Sequence, residues 1–156
     1  MVDKNSLKLG CPLARGLDSV GDVWSMLILR DAHVGLTRFD QFRKNLGIAP
    51  TMLVKRLGAL TDAGLLEKRI YSERPPREEY VLTKAGRDFL PVLLMIGAWA
   101  QRNCGENLAR YIDDETGIEI QPIGVDAVTG AKLGSRPMHM GQPNGQADRL
   151  AKGQTS

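Results

Sequence analysis

Apolar residues along this chain follow two rhythms. Between Pro50 and Gly64, Leu53, Leu57 and Leu60 recur every three or four positions, which predicts a helix with one buried stripe and a polar outer face. Gly64 ends it, because glycine accepts the left-handed backbone that closes many helices. The rhythm then shortens. Leu65–Tyr71 and Glu79–Thr83 read as two strands joined by a stiff, basic tip, Ser72–Arg77, which carries Pro75 and Pro76. Upstream, Leu13, Leu17 and Val20 share one side of a short helix over 12–21, and residues 24–32 form a strongly apolar helix suited to a core. Thr37 is the expected N-cap of a third helix over Arg38–Leu46, with Phe39 and Phe42 turned inward. Gly47-Ile48-Ala49 makes a tight corner into Pro50, which suits a first helical position because it has no amide hydrogen to leave unpaired. Helices three and four, joined by that corner and followed by a basic hairpin, predict a winged helix-turn-helix, a fold that is mainly α with a small β component.

Thr83 is expected to cap the final helix. From Phe89 to Trp99 this helix is apolar on nearly every side, so it must bury more than one face. Either its own domain encloses it or a second copy of the chain covers the outer side. Fewer than a hundred residues precede the tail, too few to enclose it, so dimerisation is the expectation. After Asn103 the character changes. Asp113-Asp-Glu-Thr-Gly117 and Asp126-Ala-Val-Thr-Gly130 repeat one five-residue pattern, each with an Asp able to bond the turn backbone and a Gly able to take positive φ. Alternation between and around them predicts a small β-meander with strands near 108–112, 118–125 and 131–133. From Ser135 onward Gly, Pro, Gln and Asn predominate, the composition of a disordered tail.

Charge sharpens the picture. The net charge of +3 is modest, but residues 36–77 carry nine Lys or Arg against four Asp or Glu, while the flanking segments are balanced or acidic. The surplus falls on the helix and hairpin that phosphate contact would use. A chain of 156 residues accommodates one core and an appendage. Met1–Gly10 lacks the apolar run of a signal peptide, and the longest apolar stretch, Phe89–Ala100, is too short to span a bilayer. With only Cys11 and Cys104 there is no disulfide framework, so the cytoplasm is the expected compartment and no membrane partner is expected.

No catalytic constellation survives inspection. His33 and His139 are isolated, two Cys and two His cannot assemble four zinc ligands, and no glycine-rich phosphate loop precedes a helix. Asp113, Asp114 and Glu115 lack calcium-loop spacing. The reading is of a non-enzyme with no cofactor and no metal. Two classes remain: a DNA reader, and a winged helix used for protein assembly. Lys55, Arg56, Arg74 and Arg77 favour the first.

Cys11-Pro12, Val23-Trp24, Leu36-Thr-Arg-Phe39, Met52-Leu53, Leu57, Leu60, Gly64-Leu65, Pro75-Pro-Arg77, Tyr80-Val-Leu-Thr83 and Gly86 resemble the HxlR-type transcriptional regulators, relatives of the MarR regulators. The resemblance covers roughly residues 10–103. It implies a cytoplasmic, dimeric winged-helix regulator, a repressor by expectation, that binds a palindromic operator in double-stranded DNA. The family commonly has serine where Ala49 stands, which removes a side-chain cap that Thr51 would partly replace. In certain relatives the two turns of the extension look like Cys-x-x-Cys-Gly zinc knuckles. Asp113, Thr116, Asp126 and Thr129 occupy those places here, so zinc is not expected. The resulting organisation is a flexible 1–10, an HxlR-type domain over 11–104, a small β extension over 105–135 and a disordered 136–156.

Site residues follow from position. Thr51, Met52, Lys55 and Arg56 lie off the leucine stripe and are expected at base edges in the major groove. Arg74 and Arg77 are expected at backbone or minor groove, and Arg38 and Arg43 at phosphate, with Lys44 and Lys68 as lesser candidates. Leu13, Leu17, Leu90, Leu94 and Trp99 are the expected dimer contacts. Pro12 at a first helical position puts Cys11 at the N-cap, where a helix dipole favours a thiolate, and the resemblance implies a thiol switch there. A small apolar role for Cys11 in the dimer seam, or control by an unidentified small-molecule effector in a cleft, stays open beside it.

Overall fold

The computed structural model describes residues 10–141. The expected flexible segment over 1–9 and the tail over 142–156 lie outside them, and 136–141 carry no regular secondary structure. Two compact units are distinguished: Ser19–Gly124, which holds the core, and a smaller one that, among the described residues, comprises 10–18 and 125–141.

Helix α1 spans Pro12–Val20. Helix α2 runs Val23–His33 and starts on a cap the sequence reading missed: Asp22 accepts the Ser25 amide at 2.9 Å and the Ser25 hydroxyl at 2.6 Å. Helix α3, Phe39–Leu46, begins one residue later than expected. Thr37 does not cap it. Gln41 reaches back instead, its Oε1 accepting the Thr37 and Arg38 amides at 3.0 Å each, the carboxamide half of a capping box. Helix α4, Pro50–Asp62, has Pro50 in its first turn and no side-chain cap; Thr51 does not replace the missing serine. It closes as a Schellman motif, with Leu65 N–H on the Leu60 carbonyl and Gly64 N–H on that of Thr61, and Gly64 at φ +74°.

The core lies where the leucine stripe predicted. Leu53, Leu57 and Leu60 of α4 pack with Ile28 and Leu29 of α2, Phe42 of α3, and Ile48 and Leu66. Burying side chains of this size stabilises by about 1.5–3 kcal/mol each, which is what holds three short helices at fixed angles.

Strands β1, Leu66–Glu73, and β2, Pro76–Leu82, pair antiparallel from Leu66↔Leu82 to Glu73↔Pro76, with an irregularity at Tyr71. Most of the expected tip, Ser72–Arg77, is therefore paired strand, and only Arg74-Pro75 forms the turn. The hairpin is anchored to the helices by the Tyr80 amide, which donates to the Thr37 carbonyl at 2.7 Å. Thr83 does cap the next helix, accepting the Gly86 amide at 3.1 Å. That helix, α5, is only Lys84–Arg87, and a separate α6 runs Leu90–Asn103. The expected single final helix is split because Pro91 cannot donate to the carbonyl one turn back and its ring crowds it.

Phe89, which precedes α6, and Leu93 within it pack against the core and Ala98 is buried, while another side of the helix exposes Val92, Ile96 and Trp99. Beyond it the expected meander does not form. Each Asp-x-x-Thr-Gly pattern closes one tight turn with a single isolated bridge, Ile112↔Glu119 in one and Val125↔Lys132 in the other. The turns satisfy their own backbone. Asp113 accepts the Glu115 and Thr116 amides at 2.9 Å each, and Asp126 accepts those of Val128 and Thr129 at 3.1 and 3.2 Å. In the larger unit the segment is seated by Tyr111, which lies over Gly97 so closely that any side chain there would overlap the ring.

Candidate nucleic-acid interface

The face of α4 opposite the leucine stripe is built from Thr51, Val54, Lys55, Gly58 and Ala59, all exposed. Two of the four expected base-reading residues, Thr51 and Lys55, belong to it. The other two do not. Met52 packs against the core. Arg56 sits on the flank and turns to Asp22, with Nε 3.3 Å from Oδ1. Helical geometry puts 52 and 56, one turn apart, on the border between the buried stripe and the outer face, with 51 and 55 on its outer side. Val54 was missed. It is 62% exposed in the middle of this face, and the signal was present, since an aliphatic residue off the stripe of an amphipathic helix has no core to fill.

At the corner between α3 and α4 a groove of about 700 Å³ is lined by Arg43, Lys44, Gly47, Ile48, Ala49 and Pro50, with one acid, Asp40, against the two cations. The uncapped start of α4 opens beside it. First-turn amides of a helix have no intrahelical partner, and the macrodipole adds partial positive charge to the two basic side chains. The absence of a capping side chain at Ala49 thus leaves donors for an anion.

The hairpin is less basic than its composition. Lys68 pairs with Glu78 at 3.2 Å and Arg69 with Glu79 at 3.0 Å across the strands. The Glu78 hydrogen bond pushes the Lys68 ammonium above its ordinary pKa. Among the described residues, only Arg74 and Arg77 of the hairpin cations have no acidic partner, and they stand together at its end. Arg38 lies over the Tyr71 ring, 4.5 Å from its centroid, tying the start of α3 to the hairpin. Stacking uses the flat face of the guanidinium and leaves its in-plane N–H donors free.

Two carboxylates on α2 hold these elements in register. Asp31, 1% exposed, accepts Asn45 Nδ2 of α3 at 2.7 Å on one oxygen and the Arg30 guanidinium on the other. Asp22 faces α4 through Arg56. Burial would raise the Asp22 pKa, but hydrogen bonds from the Ser25 side chain and backbone, with the Arg56 charge, outweigh it and hold the carboxyl below its ordinary value. Neither acid was singled out in the sequence, because nothing local marks a carboxylate whose partner is more than a dozen residues away.

The other expected residues fall as follows. In the smaller unit, Cys11 Sγ accepts the Ala14 amide at 3.4 Å, the N-cap position expected of it, and is partly buried; Leu13 and Leu17 are exposed. On α6, Trp99 is 55% exposed, in line with Val92 and Ile96, while Leu90 and Leu94 lie on a different side and Leu94 is half-buried. Among the described residues no group of three His, Cys, Asp or Glu could hold a metal ion, and no helix is long and apolar enough to cross a membrane.

A family model described as HxlR-like helix-turn-helix matches residues 19–108. The uncharacterised HTH-type transcriptional regulator Rv3095 of Mycobacterium tuberculosis is 42% identical over 90 residues, 58% of this chain and 57% of that protein. The chain thus spans a little over half the length of this mycobacterial relative. The crystal structure of PA1607, a candidate transcription factor, superposes with a TM-score of 0.78 at 35% identity, over 88% of this chain and 98% of that one. The redox regulator HypR in its oxidised form gives a TM-score of 0.55 at 32% identity, over 60% of this chain and 97% of that one. With the matched helices, corner and hairpin, the chain belongs to the HxlR-like helix-turn-helix family of transcriptional regulators.

Proposed function

We propose that the protein is a cytoplasmic homodimer that binds a palindromic operator and represses transcription by occluding it. The observation that carries this reading is the combination of three features on the helix-turn-helix and hairpin: an outward face of α4 and two arginines at the hairpin end that have no partners among the described residues, and a bare α4 start beside Arg43 and Lys44. Thr51, Val54 and Lys55 read base edges, with Val54 suited to a thymine methyl. Arg38 and Arg43 hold phosphate, and Arg74 and Arg77 hold backbone or minor groove. Met52 and Arg56 are withdrawn from the contact set. Dimerisation uses Leu13, Leu17 and the Val92–Ile96–Trp99 stripe. An assembly module would not need unpaired arginines at the hairpin end.

Control by oxidants or electrophiles at Cys11 is supported by its N-cap geometry and by the similarity to HypR. An unidentified small molecule between the dimer helices and the DNA-binding lobe is the rival signal. The function is tested by fluorescence anisotropy with duplex from upstream of the protein's own gene against a shuffled duplex at fixed salt. The proposal expects a preference of about 10³-fold or more. Equal affinity for both duplexes would refute it.

A further inference from the structure

Arg56 has the charge for phosphate and a position one turn from Met52, yet it is directed inward. Its guanidinium Nε is buried, 3.3 Å from Asp22 Oδ1, and makes no well-aligned hydrogen bond. Asp22 is already committed: Oδ1 accepts the Ser25 amide and Oδ2 the Ser25 hydroxyl. Arg56 is therefore the third, longest and least aligned partner of that carboxylate. The contact cancels the arginine's charge without giving it the bidentate geometry in which guanidinium binds oxyanions most strongly. A DNA phosphate would offer that geometry.

On the DNA-reading function proposed above, we infer that Asp22 is a specificity-determining residue that acts as an internal stand-in for phosphate, withholding Arg56 from the duplex. A regulator gains discrimination by limiting contacts that every sequence satisfies equally. Phosphate contacts are of that kind, whereas the neighbouring Thr51–Val54–Lys55 face meets bases. The latch also joins the N-terminus of α2 to α4, so the acid that caps one helix sets the side-chain direction on the other.

The test is a cycle of wild type, D22N, R56Q and the double variant. Affinity for a random-sequence 24-base-pair duplex is measured from 50 to 200 mM salt. Asparagine also caps helices, so D22N keeps the Ser25 contact while losing the charge that holds Arg56. Each phosphate contact adds about 0.9 to the slope of log affinity against log salt. D22N is expected to steepen the slope by about that amount, an additional loss of about 3.5-fold across this range. R56Q alone, and R56Q added to D22N, should both show the wild-type slope. A long-range field effect would instead add independently in the two variants. A D22N slope equal to wild type, or an R56Q slope already flatter than wild type, overturns the inference. Should D22N fail to fold, R56Q decides it alone. Wild type that binds no duplex at 50 mM salt overturns the DNA reading itself, and the inference with it.

Discussion

Removing the two unpaired cations at the end of the hairpin should flatten the salt dependence of DNA binding, whereas removing its paired cations should not. The structure divides four hairpin cations into two classes. Lys68 and Arg69 have Glu78 and Glu79 at 3.2 and 3.0 Å; Arg74 and Arg77 form no ion pair among the described residues, although Glu73 and Glu78 adjoin them in sequence. An exposed ion pair is worth only about 0–1 kcal/mol, so the first class adds little to stability, but each pair presents no net charge to phosphate. If each free arginine neutralises one phosphate, R74A/R77A lowers the slope of log affinity against log salt by about 1.8. Over a fourfold rise in salt that is about twelvefold in affinity, alike for specific and random duplexes. Anisotropy titrations at 50, 100 and 200 mM salt measure it directly. K68A should leave the slope within about 0.3 of wild type. Equal losses in the two classes would refute the division, and an unchanged slope in R74A/R77A would remove the hairpin from the interface.

Replacing Asp31 by Ala should cost about 1.5–3 kcal/mol in urea denaturation, because a charged, buried acceptor joining α2 to α3 is lost; a cost under about 0.5 kcal/mol would contradict that role. The Asp113 carboxyl is held below its ordinary pKa by the Thr116 and Glu115 amides, and that of Asp126 by the Thr129 hydroxyl and the Val128 and Thr129 amides. Their contribution is therefore complete above the ordinary carboxylate value near 4 and is lost as pH falls through the lowered folded value. Amide NMR of Thr116 and Thr129 should show both turns intact down to about pH 4 and loosening below it, with no such transition at Thr116 in D113N. W99D should sediment as a folded monomer at micromolar concentration, while a persistent dimer would move the interface off α6. Diamide should release wild-type protein from its operator but not C11S, and equal release of both would exclude Cys11 as the sensor.

The larger features of the fold were legible because each rests on local repetition. The leucines of α4 gave its buried stripe, the glycine at 64 its end, and the prolines at 75 and 76 the place of the hairpin turn. Thr83 was legible as a cap because its donor is three residues away. The reading ran out where contacts are distant or compete. Gln41 displaced Thr37 by reaching back from within α3. The meander gave way to two turns, in which Asp113 and Asp126 bond the turn amides and each turn closes on a single bridge. Arg56 is the instructive case for the site. Periodicity separates stripe from surface, but a long side chain on the border of the two is placed by its partner, and Asp22 lies 34 residues upstream.

The central claim is that two copies of the α4 face read one duplex. Hydroxyl-radical footprinting of the protein on a duplex enriched by repeated selection from random sequence tests it most directly. The account predicts two protected half-sites related by two-fold symmetry, with centres about 34–36 Å or 10–10.5 base pairs apart. The enriched bases should lie under α4 and shift when Lys55 or Val54 is replaced. Failure to enrich any sequence, or protection of a lone half-site with full affinity, would contradict it.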